Sequence, residues 1–253
     1  MLAALERARD VEESPAGRDV LEQLIENARI ARDERVPICQ DTGITMVFVE
    51  IGQDAHIRDA TLEDAINEGV RSGYDEGHLR KSIVRHPLDR SNTGDNTPAV
   101  IHTQIVPGDR LRVTVAPKGG GSENMSAARV LKPSDGFDGL RDFVTQTVEE
   151  AGPNPCPPVI VGVGIGGTLE KAALLSKIAL LRRVGESSAD PVNAGIERRL
   201  LEAVNATGVG PSGLGGTVTA LAVHVESYPC HIASLPAAVT LQCHAARHAG
   251  FEI

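Results

Sequence analysis

The chain has 253 residues, 41% of them apolar, which is enough to bury a sizeable core. Its 25 Lys+Arg stand against 34 Asp+Glu, a formal charge of −9, which argues against nucleic-acid binding through a basic surface and leaves any acidic ligand to be met by local positive charge. No apolar run approaches the roughly 18 residues of a membrane-spanning helix, the N-terminus lacks a basic and then apolar leader, and Trp is absent, so the expectation is a cytoplasmic protein with no membrane and no nucleic-acid partner.

Residues 21–34 place Leu21, Leu24, Ile25, Ala28 and Ala31 at helical spacing, which predicts an amphipathic helix stopping before Pro37. Cys39 to Gly43 then read as a turn leading into a strand, Ile44 to Ile51. Thr61 with Asp64 has capping-box character and opens a helix over about 62–72. An aperiodic stretch, 73–98, ends in SNTGDNTPA, and strands over 99–106 and 110–116 flank Pro107-Gly108-Asp109 as an expected hairpin. KGGGSENMS (118–126) reads as a glycine-rich loop, followed by a helix carrying Leu140, Phe143, Val144, Thr147 and Val148. The proline segment 153–158 runs into strand VIVGVGIGG and a helix from Leu169 to about Arg183. A further helix covers about 193–206 and a strand 217–225. The expected fold is mixed α/β (α+β): one domain over 1–253 with helices packed on mixed sheets.

Gly162, Gly164 and Gly167 match the dinucleotide fingerprint between a strand and a helix, with Glu186 downstream. The second strand of such a unit is missing from ALLRRVGESSADP, so the expectation is not a standard Rossmann fold, and a nicotinamide-dependent oxidoreductase stands only as a distant alternative. The four cysteines, Cys39, Cys156, Cys230 and Cys243, contain no C-x-x-C and are too few for a disulfide framework. Buried structural thiols, or a metal site assembled from distant segments, remain.

PICQDTG (37–43), NTGDNTPA (92–99), KGGGSENMS (118–126), PNPCPPVIVGVGIGG (153–167), the LEKAALLSK helix and PCHIASLPAAVTLQCHAARH (229–248) resemble, in order and over nearly the whole chain, the α-type catalytic region of the iron–sulfur hydro-lyases. These are the class I fumarate hydratases and the L(+)-tartrate dehydratase α subunits; the leading helical segment looks shorter than is usual for them. The resemblance implies a [4Fe–4S] cluster with one open iron, held by Cys39, Cys156 and Cys243, with Cys230 as the spare thiol. It implies Asp41 and His231 in acid–base roles, and Gln40, Arg80, Gly120 and Gly121 in contact with a small dicarboxylate. Arg85 and Arg90 share the loop of Arg80, and NTGDNTPA is expected to order its surroundings through side-chain to backbone bonds.

In that family the remaining substrate-binding groups come from a β-type domain or subunit, which this sequence does not contain. A separate β partner in an oligomer is therefore expected. Reversible hydration of fumarate to (S)-malate is the first reading of function and L(+)-tartrate dehydration the alternative. A non-catalytic regulatory subunit is the remaining rival.

Overall fold

A computed structural model describes residues 1–253. In chain order the elements are α1 (Leu2–Val11), α2 (Pro15–Asp33), β1 (Ile44–Gly52), α3 (Leu62–Glu76), β2 (Val100–Val106), β3 (Leu111–Lys118), α4 (Gly120–Glu123), β4 (Ala127–Leu131), α5 (Gly136–Ala151), β5 (Val159–Gly166), α6 (Leu169–Ala179), α7 (Pro191–Ala206), β6 (Ala220–Tyr228), β7 (Leu235–Gln242) and β8 (Ala249–Glu252). The fold is mixed α/β, with helices packed on two mixed four-stranded sheets. The chain divides into two compact units, one of residues 1–36 and 121–245, the other of residues 37–120 and 246–253.

In the first unit the strand order is β4-β7-β5-β6, with β5 parallel to β6 and antiparallel to β7. β5 is buried along nearly its whole length, which is why its sequence shows an apolar run rather than alternation. Val161 and Val163 pack with Phe143, Val144 and Val148 of α5 and with Leu200 and Val204 of α7. Gly162 and Gly164 face α6: a Cβ on them would stand 2.1 Å from the Ser176 carbonyl oxygen and 2.0 Å from that of Ala172. The apparent dinucleotide fingerprint is thus a close strand–helix contact.

Asp190 caps α7 through the Val192 N–H at 2.7 Å, with Pro191 at the first helical position. The α1–α2 pair packs Leu5, Leu21 and Ile25 against Val218. The Glu12 carboxylate beside it is wholly buried and accepts the N–H groups of Ser14, Thr217 and Val218 at 2.8–2.9 Å.

In the second unit the order is β2-β1-β3-β8. The expected hairpin between the second and third of these strands in sequence does not form: β2 runs parallel to β1, β3 runs antiparallel to it, and β1 lies between them. The connection after β2 crosses the end of β1, where Gly52 makes room. A Cβ there would stand 2.4 Å from the Gly108 oxygen, and the Asp54 N–H donates to that oxygen at 2.9 Å. A local turn signal cannot distinguish adjacent strands from strands one place apart.

α3 is capped as its sequence suggests, Thr61 Oγ1 accepting the Asp64 N–H at 3.1 Å, and it covers Val47, Val49 and Val113 through Leu62 and Ile66. Its Ala65, Gly69 and Gly73 leave an apolar cavity of about 520 Å³ against the sheet.

Candidate active site

In the second unit the turn 39–43 is held by its surroundings at almost every polar group. Gly43 has φ +78°, and a Cβ on it would stand 2.4 Å from the Lys118 carbonyl oxygen, so this position requires glycine. The half-buried Asp41 carboxylate accepts the Gly43 N–H at 3.1 Å and the Gly120 N–H at 2.8 Å. The Thr42 hydroxyl donates to the Arg80 carbonyl at 2.9 Å. Tyr74 Oη donates to the Thr42 oxygen at 2.7 Å, with the Gly43 oxygen at 3.1 Å; burial pushes this phenol above its ordinary value and keeps it a neutral donor. Asn96 Nδ2 donates to the Gly43 oxygen at 3.1 Å while its Oδ1 accepts the Ser82 N–H at 2.7 Å. Arg247 Nη2 donates to the Asp41 carbonyl.

Cys39 is half-buried at the start of this turn, with Sγ 3.4 Å from Gln40 Oε1, and Gln40 is exposed. Arg80 is exposed in the loop after α3 and its guanidinium has no side-chain partner, whereas Arg85 and Arg90 donate to the Thr93 and Pro87 carbonyls. The NTGDNTPA segment orders itself as its composition suggests: Asn92 Oδ1 accepts the Gly94 N–H at 2.7 Å and Asp95 Oδ1 the Thr97 N–H at 3.0 Å. The glycine-rich stretch departs from expectation, because Gly120 to Glu123 form one helical turn. The Gly120 N–H is taken by Asp41 rather than left open, and Gly121 is exposed.

In the first unit Cys156 is exposed in the proline segment with φ +55°, a left-handed conformation that a non-glycine residue adopts at a cost of order 1–3 kcal/mol. Cys243 is half-buried, one residue beyond β7. His244 Nδ1 lies 3.0 Å from the Cys156 carbonyl oxygen and must be the donor, since a carbonyl only accepts. Burial pushes this imidazole below its ordinary value against the raising effect of that bond. The bond brings together two segments that each carry a thiol. Gly121 adjoins the same proline segment, a Cβ on it lying 3.1 Å from the Asn154 oxygen, and Glu123 pairs with Lys177 of the LEKAALLSK helix.

His231 is exposed in the β6–β7 connection. Its Nδ1 accepts the Ala233 N–H at 3.1 Å, which leaves Nε2 to carry the proton of the neutral ring and face outward as a donor. Cys230 donates to the Ser234 carbonyl at 3.2 Å. Both residues line a largely apolar cavity of about 460 Å³ with Phe137, Leu140, Ile165 and Ile196.

The family model described as Fumarate hydratase (Fumerase) matches residues 1–252. The chain belongs to the fumarate hydratase family. It is 44% identical over 252 residues to the putative L(+)-tartrate dehydratase subunit alpha of Methanocaldococcus jannaschii, covering 97% of this chain and 88% of that one. It is 35% identical over 247 residues to the L(+)-tartrate dehydratase subunit alpha of Escherichia coli, covering 96% and 81%.

For the cluster associated with this hydro-lyase family, the donor chemistry fits. Cys39, Cys156 and Cys243 form no disulfide and stand at loops or a strand end, none of them inside an apolar strand. No three His, Cys, Asp or Glu side chains gather tightly enough to hold a single metal ion. A four-iron cube binds each thiolate at a different iron, so its ligands need not crowd around one point.

Tyr74, Arg247 and His244 were not singled out by the sequence. They act through hydrogen bonds to backbone carbonyls, and no local residue pattern marks such a contact. Arg247 and His244 do fall inside the recognised segment 229–248, which was the available signal.

Proposed function

We propose that the chain is the α subunit of a [4Fe–4S]-dependent hydro-lyase that interconverts fumarate and (S)-malate together with a β-type subunit. The observation that carries this reading is the family match across residues 1–252. The relatives named as tartrate dehydratase α subunits favour L(+)-tartrate as the second substrate to assay, and their designation as alpha supports a β-type partner.

In this reading Cys39, Cys156 and Cys243 hold the cluster and Cys230 does not. When bound, the cluster supplies a Lewis-acidic iron with an open coordination position. Arg80, exposed and unpaired, offers a planar fork to one substrate carboxylate, and the exposed Gln40 offers an amide to the substrate. Gly120 and Gly121 border the substrate through backbone. Dehydration removes a proton from the carbon next to the carbinol carbon and expels hydroxide, leaving a carbon–carbon double bond and water. Asp41, oriented by two backbone N–H groups, and His231, presenting Nε2–H, serve the proton movements at the departing hydroxyl.

The test is anaerobic co-production with the β-type subunit, followed by assays for fumarate from (S)-malate and oxaloacetate from L-tartrate. The expected preparation is brown, holds about four irons per α chain, and loses activity in air. Cys39→Ser, Cys156→Ser and Cys243→Ser each lose iron and turnover, while Cys230→Ser keeps both. An iron-free pair with neither activity would overturn the reading.

A further inference from the structure

The three carbonyls of Asp41, Thr42 and Gly43 all receive side-chain donors, from Arg247, Tyr74 and Asn96. Two of these donors are neutral and sit on elements whose packing already places them: Tyr74 is buried on α3, and Asn96 is buried within its self-ordered loop. Arg247 differs. It precedes the short strand β8, forms no ion pair, and its Nη1 is buried without an acceptor. Holding a guanidinium partly out of water with an unsatisfied nitrogen costs stability, so this arrangement is unfavourable for folding alone. Its one directed bond goes to the peptide of Asp41, whose carboxylate is then aimed by the N–H groups of Gly43 and Gly120.

We infer that Arg247 is a positioning residue for Asp41: the guanidinium fixes the carbonyl end of that residue while two amides fix its carboxylate, so the side chain enters the reaction already oriented. This rests on the reading of Asp41 as an acid–base group. A group that orients a reacting side chain through its backbone acts on the chemical step more than on substrate affinity.

The experiment compares Arg247→Met and Arg247→Lys with the wild type, first in the αβ enzyme. The expected result for Arg247→Met is a fall in kcat of about 10- to 100-fold with KM and iron per chain little changed. Arg247→Lys, which keeps the charge and one donor, recovers most of the loss. A rise in KM with kcat intact would mean direct substrate contact, and loss of iron in step with activity would mean support of the Cys39 loop; either overturns the proposal, as does an unchanged kcat.

The second measurement is amide hydrogen exchange on the full-length α chain alone, where the Gly43 and Gly120 amides are expected to exchange faster in Arg247→Met. Unchanged exchange overturns the positioning role even if the wild-type pair proves inactive on every substrate, an outcome that would sink only the functional reading. If the methionine variant does not accumulate as folded chain, Arg247→Gln, with an N–H of shorter reach, is read by the same measurements.

Discussion

Residues 1–36 and 121–245 form a sheet filled from both faces. Val161 and Val163 meet the aliphatic core of α5 and α7, while Gly162 and Gly164 let α6 lie almost on the backbone. Residues 37–120 and 246–253 also form a four-stranded sheet, yet its fully buried cluster is Val47, Val49 and Val113, and α3 leaves apolar space beneath its small residues. The second unit compensates with directed bonds: the carbonyls of residues 41–43 are taken by Arg247, Tyr74 and Asn96. Dispersion and burial fill the sheet of the first unit, with the Glu12 carboxylate as its buried polar clamp, while in the second unit polar clamps order the turn of the candidate site itself. Burial scales with area and has no direction, so its loss is felt in global stability, whereas a clamp is specific in direction and its loss is felt first in local order.

This contrast predicts a graded series. Leu200→Ala, at a fully buried position of α7, should cost about 2–5 kcal/mol in a denaturant titration; a cost below that of any change in the second unit would break the comparison. Glu12→Gln should come next, at about 1.5–3 kcal/mol, because it removes the charge from a carboxylate bonded to three backbone N–H groups. Burial pushes the Glu12 carboxyl up, but the bonds from Ser14, Thr217 and Val218 outweigh it and hold it below its ordinary value of 4.5.

With its folded value lowered, Glu12 contributes stability that is present above pH 4.5 and is lost as pH falls through the folded value. His224, whose imidazole is pushed below its ordinary 6.5 by burial and by Arg182, adds a loss that begins as pH drops past 6.5. Stability measured from pH 8 downward should therefore decline in two stages, and Glu12→Gln should flatten the more acidic one. Tyr74→Phe should have the smallest global effect, about 1 kcal/mol, while accelerating amide exchange at Gly43. A global loss equal to that of Leu200→Ala, or no change at Gly43, would mean that the clamps do not order the site separately from the core.

Elements with an amphipathic period and a clear cap were legible before folding. α2 extends the expected helix back to Pro15, where Ser14 caps it, and α3 and α7 begin within two residues of expectation at Thr61 and Asp190 caps. Strand β5 was visible as an apolar run, and its glycines were open to both a packing and a phosphate-binding reading until α6 was seen against them. β4, whose residues are mostly exposed, gave no alternating signal, and the turn α4 looked like loop because two of its four residues are glycine, a poor helix former.

By itself the sequence determined the family, the chemically capable residues and most of the regular elements, because these depend on residue identity and short-range spacing. Only the tertiary structure decided that β1 separates β2 from β3, that His244 joins the Cys156 and Cys243 segments, and that Arg247 reaches the Asp41 carbonyl. Each of those is a backbone contact between residues far apart in the chain, and a carbonyl oxygen looks the same in every residue until the fold chooses its donor.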